Sequence, residues 1–149
     1  MSRFNLRPYQ QECLDSIPDS GAFLIQMATG LGKTVTFSRV PRRGRMLILS
    51  HREELVWQPK KYFSCSFGAE QSGNRSSGEE VVSASVQSLT RRLGSFSPNA
   101  FDILITDEAH HASAPTYRRI YDHFKPRLHL GFTATPNRAD GLGLDSIFE

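Results

Sequence analysis

The chain has 149 residues, 38% hydrophobic and 22% charged, which suits one domain with its own core and excludes wholesale disorder. No apolar run approaches the ~20 residues of a membrane span, and Met1 to Gln10 lack a signal-peptide stretch, so a soluble, cytoplasmic protein is expected. Eighteen basic against fifteen acidic residues leave a formal charge of +3, compatible with a polyanion partner without requiring one.

Cys13 and Cys65 lie far apart, with no CxxC and no His at ligand spacing. A zinc site and a disulfide framework are therefore not expected. In chain order, Pro8–Ile17 reads as a helix with Pro8 in its first turn. Ala22–Ile25 follows as a strand, and Lys33–Val40 as a helix that should stop before Pro41. Met46–Leu49 is a second strand and Glu53–Phe63 a helix. Ser66–Glu80, rich in Ser and Gly, reads as an exposed loop around a short edge strand. Val81–Ala84 is a strand, Val86–Leu93 a helix, Ile103–Ile105 a strand, Pro115–Phe124 a helix and Leu128–Phe132 a strand. Trp57 and the phenylalanines are read as core, and Arg42–Arg45, Arg91–Arg92 and Arg118–Arg119 as solvated turns or faces.

The strand candidates are apolar throughout rather than alternating, as strands buried on both faces are. Alternation of strands with helices predicts an α/β fold, a mostly parallel sheet in a three-layer αβα arrangement. In such sheets the chemistry sits at the carboxyl ends of the strands. Two motifs fall there. After the first strand comes Ala28-Thr29-Gly30-Leu31-Gly32-Lys33-Thr34, opening a helix. Its glycines let backbone N–H groups turn inward onto phosphates; Lys33 supplies a point charge, and Thr34 a hydroxyl for Mg²⁺. The strict phosphate-loop pattern has Gly where this chain has Met27. After Ile103–Ile105 come Asp107 and Glu108. Asp107 suits a Mg²⁺ held partly through water, and Glu108 a base for the attacking water. The bland alternative for the acidic pair is a helix cap.

The ordered set of segments resembles superfamily 2 helicases and translocases. Residues 28–34 are similar to their motif I. Asp107-Glu108-Ala109-His110 is similar to motif II of the DEAH type, and Thr133-Ala134-Thr135-Pro136 to motif III. Leu6-Arg7-Pro8-Tyr9-Gln10 resembles the upstream element whose glutamine reads adenine. Ser50-His51-Arg52-Glu53-Glu54-Leu55 resembles motif Ia, and Ser85-Val86-Gln87-Ser88-Leu89 the next motif that contacts nucleic acid. The wording of these segments is nearest to type I and type III restriction-subunit-like helicases, with RadD- and XPB-like relatives.

The resemblance implies a RecA-like domain over residues 1–149 that takes ATP and Mg²⁺. Arg7 and Gln10 would contact adenine, and Thr29, Gly30, Leu31, Gly32, Lys33 and Thr34 the phosphates. His110, Thr133 and Thr135 would couple nucleotide state to movement. His51, Arg52, Ser85, Gln87 and Ser88 would meet nucleic acid, DNA more than RNA. A second RecA-like domain, which brings the arginine finger, is absent from these residues, so a fragment of a two-domain protein is expected, with the partner domain in cis or in trans. An inactive regulatory module of the same fold stays open as the alternative.

Overall fold

A computed structural model describes residues 7–27, 32–108 and 114–133. Helix α1 (Pro8–Ser16) leads into β1 (Gly21–Gln26), and α2 (Lys33–Ser38) into β2 (Met46–Ser50). Strands β3 (Phe67–Glu70) and β4 (Val81–Ser85) come next, followed by α3 (Val86–Thr90). The order closes with β5 (Ile103–Asp107), α4 (Pro115–His123) and β6 (Leu128–Thr133). The six strands form one sheet in the order β1-β6-β5-β2-β4-β3, every pair parallel.

Side chains alternate across the strands and fill two cores. One face carries Leu47, Leu49, Val82, Ala84 and Leu104 and packs on α3 and α4 through Val86, Leu89, Tyr117, Ile120 and Phe124. The other carries Met46, Ile48, Val81, Ile103, Ile105, Leu128, Leu130 and Phe132 and packs on Phe37 and Val40, with Leu14 and Ile17 beside it. The three-layer αβα arrangement follows from strands that are apolar on both faces. Every residue of β2, β4 and β6 is buried. Strand β1 is only half-buried because it lies at an end of the sheet.

Several sequence expectations change. Glu53–Phe63 is not one helix but two 3-10 turns, Glu53–Leu55 and Gln58–Tyr62, because Pro59 lacks the N–H an α-helix needs there. Helix α3 stops at Thr90, three residues short of the expectation, and a 3-10 turn at Leu93–Ser95 follows. Trp57 is not core: it is 41% exposed, with the Lys60 ammonium 5.8 Å from its ring. The edge strand inside Ser66–Glu80 is present as β3, and Arg92 is no solvated residue. Its guanidinium lies 2.9 Å from the buried Glu70 carboxylate and donates to the carbonyls of Gln71 and Asn74, pinning the loop after β3.

Arg42–Arg45, expected as a solvated turn, precedes β2 at the sheet end opposite the strands' carboxyl ends and forms an ordered network. Arg43 N donates to Asp102 at 2.8 Å and Arg127 Nε at 3.0 Å. The Arg127 hydrogen bond holds the Asp102 carboxyl below its ordinary value, aided by Arg43 against the opposing effect of burial. Among the described residues no helix is long and apolar enough to cross a membrane.

Candidate active site

The register brings the carboxyl ends of β1, β6, β5 and β2 to one edge: Gln26 pairs with Thr133, and Asp107 with Phe132. Met27 N donates to the Thr133 carbonyl at 2.9 Å, tying the end of β6 to the entry of the phosphate loop. Gly32 opens α2 with φ +79°, the left-handed region that glycine enters at least cost. Lys33 and Thr34 occupy the first turn. Lys33 Nζ stands 3.0 Å from Asp107 Oδ1, with the two side chains 20% and 19% exposed. The two motifs, 74 positions apart in sequence, thus meet as one partly buried ion pair.

Asp107 also accepts the Glu108 amide at 2.9 Å. Glu108 has φ +54°, a left-handed conformation that a non-glycine residue keeps only when its surroundings impose it. Gln10 is buried against the phosphate loop. Its Nε2 donates to the Gly32 carbonyl at 3.3 Å, and its Oε1 accepts Arg7 N at 2.7 Å, closing the start of α1. The adenine-reading candidate thus already bridges α1 and the loop, and a Cβ on Gly32 would stand 2.3 Å from its Nε2.

The nucleic-acid candidates separate. His51 and Arg52 are exposed just past β2, and Gln87 is exposed on α3. Ser85 and Ser88 are buried: the Ser85 hydroxyl caps α3 by accepting Ser88 N at 3.3 Å. Burial of both hydroxyls closes direct contact with an outside strand in this conformation, and only the Ser85 hydroxyl takes part in the cap. Thr133 is buried at the edge. Thr29, Gly30, Leu31, His110 and Thr135 lie outside the described residues.

Sequence reading missed the layer beneath the acidic pair. Thr106 Oγ1 lies 2.8 Å from the Tyr121 hydroxyl and 3.0 Å from His129 Nε2. Burial drives the His129 imidazole down to about 3 and the Tyr121 phenol upward. Among the described residues the buried Tyr117 hydroxyl has no hydrogen-bond partner; burial raises its phenol, and the charges of Asp107 and Glu108 add to the effect. Polar residues inside apolar strands, as His129 is in Leu128–Phe132, were the only signal available in the sequence.

The donor set is one ammonium, a hydroxyl and two adjacent carboxylates. Among the described residues no group of three or more His, Cys, Asp or Glu could hold a metal alone. A hard cation here would share its ligands with a polyanion, which is the habit of Mg²⁺ with phosphates.

Residues 3–138 match the family described as type III restriction enzyme, res subunit. The chain is 36% identical over 174 aligned residues to a Saccharomyces cerevisiae protein named as the ATP-dependent helicase IRC3, covering 97% of this chain and 25% of the relative. It is 31% identical to a Halobacterium salinarum protein named as the DNA 3'-5' helicase Rad25, over 95% of this chain and 25% of that one. The helicase domain of Pyrococcus furiosus Hef shares the fold, with TM-score 0.78 at 23% identity, over 95% of this chain and 35% of that one. The chain thus spans about a quarter of the length of these two sequence relatives. Matched along nearly its whole length, with an αβα sheet of the RecA-like helicase kind, the chain belongs to the type III restriction enzyme res-subunit family.

Proposed function

We propose that residues 1–149 form a single RecA-like ATP-binding domain of an ATP-dependent DNA helicase or translocase, completed for catalysis by a second such domain in cis or in trans. The observation that carries this reading is the Lys33–Asp107 pair, 3.0 Å apart at the carboxyl edge of the sheet. Phosphoryl transfer asks a protein mainly for positioning and charge. Thr29 to Thr34 cradle the phosphates of ATP, with Lys33 on the β- and γ-phosphates. Thr34 and Asp107 would hold Mg²⁺, and the ion would supply neutralisation of phosphate charge there. Glu108 orients the attacking water and takes its proton. Arg7 and Gln10 meet the adenine. His110, Thr133 and Thr135 transmit nucleotide state to the partner domain, Thr133 through a strand end already bonded to Met27.

The names of the relatives support DNA as the polymer. His51, Arg52 and Gln87 are exposed at the same edge as the ATP site and suit a phosphate backbone, which gives affinity without sequence preference. Ser85 and Ser88 serve that surface by shaping α3. A cytoplasmic setting fits Cys13 and Cys65, both free thiols. An arginine finger is worth roughly 10³–10⁵ in rate in related phosphoryl transfers, so turnover by this chain alone is expected to be slow. Hydrolysis is measured with and without single-stranded DNA, alongside DNA binding across a salt series. Slow turnover, and DNA binding that weakens with salt and further in Arg52→Ala, support the reading. Rapid DNA-stimulated turnover by the isolated chain overturns the claim of incompleteness, and salt-independent binding overturns the backbone contact.

A further inference from the structure

We propose that Thr106, Tyr121 and His129 form a positioning network for the acidic pair Asp107–Glu108. The role rests on the ATP-site reading above, although the network itself does not. These three side chains lie on the α4 face of the sheet, among Leu104, Ala22, Leu24 and Ala114, which make that face otherwise apolar. They belong to three elements, β5, α4 and β6, and meet at one atom. Thr106 Oγ1 is 2.8 Å from Tyr121 OH and 3.0 Å from His129 Nε2. A hydroxyl has one proton to give, so Thr106 accepts along at least one of these bonds. The Tyr121 and His129 rings also meet, tilted by 53° with centroids 4.5 Å apart.

The location gives the network its meaning. Thr106 immediately precedes Asp107, and side chains alternate along β5, so the two point to opposite faces of the sheet. Lys33 holds Asp107 from the α2 face at 3.0 Å, while Tyr121 and His129 hold Thr106 from the α4 face. The strand end is therefore gripped from both sides, one residue before a backbone at φ +54° that needs outside restraint to persist. His129 lies four residues before Thr133 on the same strand, so one hydroxyl joins the strand bearing the acidic pair to the strand bearing Thr133. A buried polar cluster is tolerated where every member is bonded, and it then fixes a single arrangement where apolar side chains could slide.

The test compares Thr106→Val, which keeps the shape and removes the hydroxyl, with Thr106→Ser, which keeps the hydroxyl, and with Tyr121→Phe, which removes one arm. Amide hydrogen exchange is read at Asp107, Glu108 and Thr133 and, for reference, across Met46–Ser50. ATP affinity is measured with and without Mg²⁺. Positioning predicts a local loss of protection of about tenfold at Asp107, Glu108 and Thr133 in Thr106→Val, beyond that at Met46–Ser50, and rescue in Thr106→Ser. It also predicts about a tenfold fall in the Mg²⁺-dependent part of ATP affinity, the scale on which groups orienting a metal ligand act, with Mg²⁺-free binding unchanged. A uniform loss of protection that tracks melting temperature, with Mg²⁺-ATP affinity intact, makes the network merely structural and overturns the proposal. No change in either readout also overturns it. Should Thr106→Val fail to fold, Tyr121→Phe carries the same comparison. If the wild-type chain binds no Mg²⁺-ATP while the local exchange effect appears, the ATP-site reading fails and the restraint on the acidic turn stands.

Discussion

Acid should destabilise this domain through one residue buried in the sheet. His129 is 8% exposed, and burial pushes its imidazole from the ordinary value near 6.5 down to about 3. Below pH 6.5 the unfolded chain binds a proton at this site that the folded chain refuses. The unfolded state therefore carries more protons, and stability falls as pH falls, throughout the window from about 6.5 down to about 3. Each pH unit inside that window costs about 1.4 kcal/mol, so moving from pH 7 to pH 5 removes about 2 kcal/mol from this one group. The perturbation that isolates it is His129→Gln, which keeps a hydrogen-bonding side chain for Thr106 and abolishes the titration. Urea unfolding of both proteins at pH 7, 6 and 5 gives the difference directly. The wild type should lose about 2 kcal/mol more than the variant over that range. Parallel loss in the two proteins would refute the reasoning, since it would mean that His129 accepts its proton in the folded state.

Gly32→Ala places a Cβ on a backbone at φ +79° and 2.3 Å from Gln10 Nε2. It should cost about 1–3 kcal/mol, and adding Gln10→Ala should recover the part owed to the collision and leave the part owed to the backbone, as thermal melts would show. Arg92→Ala strands the Glu70 carboxylate, which is 3% exposed and also accepts Ser76 N at 2.7 Å. Chemical denaturation should show a loss of about 3–5 kcal/mol, with the double change Glu70→Leu/Arg92→Met costing less than the single one. Glu108→Gln should keep Mg²⁺-ATP affinity and lower basal hydrolysis, whereas Asp107→Asn should weaken the Mg²⁺-dependent part of binding; calorimetry paired with a phosphate-release assay separates the two.

Much of the architecture was legible because local and global signals agree. Met46–Leu49, Val81–Ala84 and Leu128–Phe132 are apolar at every position or nearly so, and each became a strand buried on both faces. Gly32, Lys33 and Thr34 fell after a strand and opened a helix, and Asp107 ended another strand. Once the sheet was known to be parallel, their meeting at one edge followed. Register was not legible. Nothing in the sequence says that β6 lies between β1 and β5, the arrangement that brings Asp107 beside Lys33. Nor did composition show that Ser85 would turn inward as a cap, because a serine before a helix reads alike as cap or contact. Arg92 looked like one of many surface arginines, and only the fold brought Glu70 within 2.9 Å of it. Thr106 and His129 are 23 positions apart, and their hydrogen bond depends on strand order alone.

In the proposed reading, Lys33 and Asp107 mark an ATP site that a second domain completes. Calorimetric titration of this chain with Mg²⁺-ATP, repeated on Lys33→Ala, tests it most directly. The wild type should bind weakly and with Mg²⁺ dependence, and this binding should disappear in the variant, whose fold stays intact by circular dichroism. Equal binding by the two proteins would place the nucleotide elsewhere, and no binding by a folded wild type would contradict an ATP site built by these residues alone.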